Sequence, residues 1–302
     1  MRGSGWAATV LSTALWLSFS SAVRCEEAEP AELPVAPALS TEPESEPQRQ
    51  PEAQPQPKPQ PTPEIEGAIA LMVGYAPDYQ GGSARVVTFT PGIYIRYGRY
   101  AISTISGFVT RKETEIIRGL SADLLNTEWL RVNFGLRLDH GRDSSDSAAL
   151  SGLEDVNTTV RGRLLVSRAL GDGWSVSLGT SADLLGRGGG VVLDASIGKT
   201  YNIVPRTTWS WGVGVSAGNE RYMQTYFGIT EAQAAATGYP VYSPSAGLRD
   251  VSLGVDLRGD LGERWVGYLG GSASRVLGPP RDSPLNRTDS GWSIRTGLAW
   301  RF

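Results

Sequence analysis

The chain ends on GWSIRTGLAWRF, Gly291 to Phe302. The even positions Trp292, Ile294, Thr296, Leu298, Trp300 and Phe302 make one apolar face with aromatic ends. The odd positions Ser293, Arg295, Gly297 and Arg301 are polar or small. A period of two places successive side chains on opposite sides of a β-strand. An apolar face bracketed by aromatics, backed by a charged face, suits a strand between lipid and a water-filled lumen. A chain that stops on an aromatic residue after such alternation resembles the insertion signal read by the barrel-assembly machinery, with Trp300 and Phe302 carrying it.

Working back from that strand, the same pattern recurs. In WLRVNFGLRLD, Trp129 to Asp139, Leu130, Val132, Phe134, Leu136 and Leu138 alternate with Arg131, Asn133, Gly135, Arg137 and Asp139. Trp174 to Leu184 repeats it, as do the faces Trp209, Trp211, Val213, Val215 and Val251, Leu253, Val255, Leu257. About twelve such segments are predicted, two of them near 100–109 and 115–125. Every second connection is tight, as at Gly98-Arg99, Gly171-Asp172-Gly173 and Gly262-Glu263-Arg264. Others are long, as from Gly141 to Asn157 and from Asn219 to Gly247. Short turns at one end and long loops at the other are the layout of an outer-membrane barrel. The reading is therefore all-β: a transmembrane antiparallel up-and-down barrel over residues 65–302, with both termini periplasmic. Outer-membrane lipid and lipopolysaccharide are its surroundings.

The first 64 residues read differently. Arg2, the apolar run from Ala7 to Phe19 and the small residues Ser20, Ser21 and Ala22 look like a cleaved secretory signal within residues 1–25, too short to span a bilayer. Cleavage after Ala22 or after Cys25 fits equally. Cys25 is the only cysteine, and Arg24 before it is wrong for a lipoprotein acylation site. Residues 26–64 hold eleven prolines and no aromatic residue, so they cannot bury enough apolar area to fold; a disordered arm with polyproline II character is expected. That arm is either a plain spacer or a reach toward the cell wall. It carries nine Glu against Arg49 and Lys58, about −7, within a total of −3 over 302 residues. The barrel region is then close to +2, with no basic face for nucleic acid.

Several segments resemble the MltA-interacting protein (MipA/OmpV) family of outer-membrane barrels: VGYAPDYQGG from Val73, AALSGLEDVNTTV from Ala148, and RYMQTYFGITEAQAAATGYPVYSPSAGLRDVSLG from Arg221. The resemblance spans about residues 67–302; VTRKETEII, Val109 to Ile117, fits it less well. It implies a scaffold that joins a membrane-bound lytic transglycosylase to a bifunctional penicillin-binding protein. It brings no catalytic residue and no cofactor. Porin and adhesin roles are also associated with the family.

Other chemistry finds little support in the residues. His140 is the only histidine. It falls at a strand end with Arg142 two positions on, where a serine nucleophile would be needed, so a rim histidine is the plainer reading and no enzyme is expected. A metal site lacks a second histidine. Gly186 to Gly190, GRGGG, lacks the Lys-Ser/Thr of a phosphate loop and reads as a turn. Asp139, Asp143, Asp146, Glu154 and Asp155 lack calcium-loop spacing; they suit a solvated loop better than divalent bridging to lipopolysaccharide. Tyr222, Met223, Gln224, Tyr226, Phe227, Tyr239 and Tyr242 are too apolar for a solvated loop, and predict a lumenal plug or an exposed contact surface. Arg131, Arg137, Asp139, Arg161, Arg163, Asp183, Arg295 and Arg301 fall on lumen parity. That arginine excess is the basis of the alternative function, a narrow channel favouring anions.

Overall fold

The computed structural model describes residues 65–105, 108–109, 117–145 and 147–302. The signal and the proline-rich arm expected within residues 1–64 lie outside the described residues. Twelve strands close into one barrel, each antiparallel to its neighbours, in the order β1-β12-β11-β10-β9-β8-β7-β6-β5-β4-β3-β2. They are β1 (Ile65–Pro77), β2 (Arg85–Tyr97), β3 (Tyr100–Ser103), β4 (Gly119–Asn126), β5 (Leu130–Asp139), β6 (Thr159–Gly171), β7 (Trp174–Asp183), β8 (Val191–Val204), β9 (Thr207–Gly218), β10 (Gly247–Asp260), β11 (Trp265–Val276) and β12 (Ser290–Arg301). The first strand meets the last in a register running from Ala68↔Arg301 to Tyr75↔Ile294. Closure leaves no strand edge, which is the condition for a sheet to sit in lipid.

Five short turns lie at one end with the beginning of β1 and the finish of β12; this is the turn end. At Gly98 the backbone takes φ 57°, a conformation that suits glycine. Five longer connections lie at the other, loop end, and the connection from β3 to β4 turns into the lumen. Two short helices, α1 (Glu220–Phe227) and α2 (Glu231–Thr237), belong to the β9–β10 loop, and α3 (Gly278–Arg281) to the β11–β12 loop. No helix among the described residues is long and apolar enough to cross a membrane.

The outward positions carry the apolar residues read from the sequence: Leu71, Phe89, Leu138, Leu178, Leu253 and Ile294, among others, are exposed. An exposed apolar band around the whole circumference would be an aggregation surface in water, and is the expected exterior in lipid. Aromatic residues rim it. At the turn end Lys199 lies 5.2 Å from the Trp174 ring centre and 5.1 Å from that of Tyr201, and Arg168 lies 5.8 Å from that of Trp129. At the loop end Arg85 sits 4.1 Å over Trp292. Amphipathic aromatics and long cations of this kind settle at headgroup level. Trp300 and Phe302 pack with ring centres 5.6 Å apart, and the Phe302 ring lies across Gly67, where a Cβ would fall 2.3 Å from it.

The wall differs from expectation in one place. The segments near 100–109 and 115–125 do not both run the height of the barrel: β3 has four residues and β4 eight. After Ser103 the chain leaves the wall and turns inward, and Ile105, Phe108, Val109 and Ile117 are buried. Ile105 lies on Gly92 and Ile117 on Gly135, two lumen-facing glycines whose missing side chains make the room. The chain rejoins the wall at Gly119, where φ is +101° and a Cβ would meet the Leu136 carbonyl oxygen at 2.0 Å.

Candidate functional site

The interior has three levels. At the turn end, the inward segment meets lumen-facing Ala68, Met72, Tyr94, Val266 and Ala299 to form an apolar core. Phe108 stacks on Tyr268 with ring centres 4.9 Å apart. The backbone is pinned from the wall: Arg258 Nε donates to the Phe108 carbonyl at 2.7 Å, and Arg301 Nε to that of Val109 at 2.7 Å. Arg301 also donates to Asp260 at 2.9 Å. A buried carbonyl needs such a partner, and a charged donor is a strong one. Arg301, on lumen parity, is a fastening of this core.

At mid-height the lumen carries paired charges. Arg163 makes two bonds to Asp194, of 3.0 and 2.8 Å. Nearer the turn end, Arg96 bonds Asp123, which also accepts from Asn133 at 2.7 Å. Arg131 at the turn end of β5, and Arg137 and Arg295 farther up β5 and β12, occupy lumen-side positions, half-buried. Asp183, at the loop-end edge of β7, accepts from the Thr159 hydroxyl and from the backbone of Leu185, Gly186 and Gly189. It shapes the Gly186–Gly190 turn rather than facing open water.

At the loop end, five connections meet over the mouth. Arg161 is 2% exposed and stands at their centre. Its Nε donates to Asp139 at 2.5 Å, Nη1 to Ser181 at 3.2 Å, and Nη2 to the Gly189 carbonyl. Tyr222 lies over it, ring centre 5.5 Å from the guanidinium, and accepts from Arg249 at 2.9 Å. Helix α1 begins where Asn219 accepts from Tyr222 N at 3.0 Å, a side-chain N-cap. One face of that helix, Tyr222, Met223 and Phe227, is buried with Val192. Gln224 and Tyr226 are half-buried. Arg142 donates to the Tyr226 carbonyl at 3.0 Å. Burial pushes the Tyr226 phenol up, helped by nearby Asp139 and opposed by Arg161. Burial also holds Arg142 below the usual arginine value.

Helix α2 is closed by a capping box of Thr230 and Gln233. Beyond it, Leu150, Leu153, Ile229 and Leu285 form a second core, flanked by Tyr79, Tyr239 and Tyr242. Phenols fasten it: Tyr79 donates to the Leu285 carbonyl at 3.0 Å, Tyr239 to that of Ala149 at 3.2 Å and Tyr242 to that of Pro279 at 2.6 Å. The segment from Tyr222 to Tyr242 therefore packs inward on other loops. Residues that the sequence reading missed hold it there: Tyr79, Leu150, Leu153 and Leu285. Their signal was leucines set in polar loops. The turn-end core had a signal too, in Ala68, Ala70 and Met72, apolar at positions where a wet lumen calls for polar residues.

His140 is exposed just beyond β5. Among the loop acids, Asp143 accepts from Ser145 and Asp155 from Ser144 N at 2.7 Å, so they bracket their own loop. No group of three or more metal-ligating residues occurs among the described residues.

A closed twelve-stranded barrel with a lipid-facing belt and aromatic rims is an outer-membrane barrel protein. The family model described as "MltA-interacting protein MipA" matches residues 69–302, and the chain belongs to that family. Among solved structures, it is similar to the KdgM porin at 10% identity, over 78% of this chain and 99% of that one, with a TM-score of 0.38. It is similar to the NanC porin at 11% identity, over 77% and 98%, with a TM-score of 0.39. It is also similar to OmpT of Vibrio cholerae at 8% identity, over 80% and 97%, with a TM-score of 0.37. Nothing about function follows at that distance. No curated protein matches the chain.

Proposed function

We propose that this protein is a non-catalytic scaffold: a filled outer-membrane barrel that ties a murein-cleaving transglycosylase, and with it a bifunctional penicillin-binding protein, to the membrane. The observation that carries this reading is the closure of the lumen from both sides. The Phe108–Tyr268 core occupies the turn end, and the interlocked loops around Arg161 and Tyr222 cover the other. Apolar side chains that fill a lumen serve an anchor and obstruct a solute path. The family description, which names an interaction with a murein enzyme, agrees with it.

The termini supply the geometry. Residues 26–64 precede β1, which starts at the turn end, so with that end in the periplasm the arm emerges on the murein side. The covered loop end then faces outward, away from periplasmic partners. Affinity capture from cross-linked cells tests the reading. The full chain should recover a murein hydrolase and a synthase above control, and a chain lacking residues 26–64 should recover less. Recovery of neither enzyme by the full chain would overturn it. The rival reading, a narrow anion channel, requires the Phe108 segment to vacate the lumen.

A further inference from the structure

The lumenal arginines divide into two groups. Arg96, Arg161, Arg163, Arg258 and Arg301 each have an aspartate at ion-pair distance: Asp123, Asp139, Asp194 and, for the last two, Asp260. Arg118, Arg137 and Arg295 have no such partner among the described residues; nor does Arg131, which stands apart at the turn end of β5. The difference is not one of position on the surface, because all of these belong to the interior.

The placement of the three is specific. Arg137 is on β5 and Arg295 on β12, strands separated by four others one way around the barrel and by six the other. Their side chains therefore approach from nearly opposite walls. Arg118 is the last residue of the inward segment before the chain re-enters the wall at Gly119, whose backbone conformation fixes the exit. It is within electrostatic reach of both, and Gly119 beside it packs against the Arg137 backbone, where a Cβ would fall 2.9 Å from the Arg137 Cα. It keeps an accessible surface. Its partial burial, and then the like charges of Arg137 and Arg295, lower its pKa. Asp256 on β10 is engaged by the Tyr268 hydroxyl, and Tyr268 in turn lies in the field of Arg295.

We propose that Arg118, Arg137 and Arg295 form a binding site, in the chamber between the two closures, for a small multiply charged oxyanion of the phosphate or polycarboxylate class. Three guanidinium groups offer planar, paired donors that match such oxygens. In a confined chamber, like charges repel with little screening, so an anion gains from all three at once. Arg96, Arg161, Arg163, Arg258 and Arg301 are each supplied with an aspartate by the chain itself; for these three no described residue supplies one. Binding is inferred, and not passage. The proposal is independent of the scaffold reading, since a barrel that holds no murein enzyme can still hold the ion.

Isothermal titration of the full chain, folded in detergent micelles at low ionic strength, tests this with inorganic phosphate and with citrate. Saturable binding of at least one anion is expected, weakened tenfold or more in Arg137→Gln and in Arg295→Gln, and falling as sodium chloride is raised. Arg137→Lys should recover part of the affinity, whereas Arg85→Gln, at the outer rim, should leave it unchanged. Electrophoretic heat-modifiability reports whether each variant still forms a barrel. Should a strand variant not fold, Arg118→Gln, outside the strands, makes the same test. No saturable binding of either anion would overturn the proposal, as would binding that survives the substitutions in folded protein.

Discussion

The two ends of the lumen are closed in different ways. The loop end is covered by five connections far apart in sequence, held by tyrosine hydroxyls, one buried arginine and two small apolar cores. The turn end is filled from inside by a single short segment that leaves the wall after Ser103 and returns at Gly119. The first closure is polar and distributed, so many bonds share the load. The second is apolar and local, so one ring, Phe108, holds much of it. The two closures should therefore fail differently, and substitutions can separate them.

The largest effect is expected at the loop end. Arg161→Met leaves Asp139 enclosed without its cation; breaking a buried pair from one side costs about 3–5 kcal/mol. Urea unfolding should register that loss, and limited proteolysis should begin to cut within residues 219–246. Phe108→Ala comes next, at about 3 kcal/mol for a truncated buried aromatic. Its distinguishing sign is electrical: intermittent current through a barrel whose loop end is still covered. Proteolysis of residues 219–246 should not change in this variant, and if it does the two closures are coupled.

Smaller effects sharpen the picture. The Tyr226 phenol is held up by burial, so its neutral form stabilises the loop end below the ordinary tyrosine value of 10.0. That contribution is lost as pH rises above 10.0 toward the higher folded value. Burial pushes the loop phenols of Tyr79 and Tyr242 up as well, so an ultraviolet titration should find several tyrosines ionising late, with onset of cleavage in the loops, and Tyr226→Phe should remove one of them. Tyr79→Phe deletes one hydrogen bond, to the Leu285 carbonyl, for about 1 kcal/mol. The expected result is a slight shift in unfolding with no change at the turn end.

The same contrast explains what could be read from the sequence. Lipid imposes strict alternation on the wall, and so Trp292 to Phe302, Trp129 to Asp139 and Trp174 to Leu184 declare their faces without any knowledge of neighbours. The Tyr222–Tyr242 segment could be singled out because aromatics are out of place in a solvated loop. Its partners Leu150 and Leu285 left only the faint mark of leucines in polar loops, and Tyr79 none, since contacts between distant loops leave no periodic trace. Ile105, Phe108, Val109 and Ile117 were harder still. Apolar residues of an inward segment look like those of a lipid-facing strand, and only the pairing of β3 with β4 over four residues exposes the difference. The acids that neutralise the lumen, Asp123, Asp194 and Asp260, were similarly plain polar positions until the closed sheet brought each to its arginine.

The central claim is that this barrel is filled and not open. Planar-bilayer recording on pure, folded, unmodified protein tests it most directly. The account predicts no sustained conductance steps at moderate voltage, and sustained ohmic steps from the unmodified protein would contradict it.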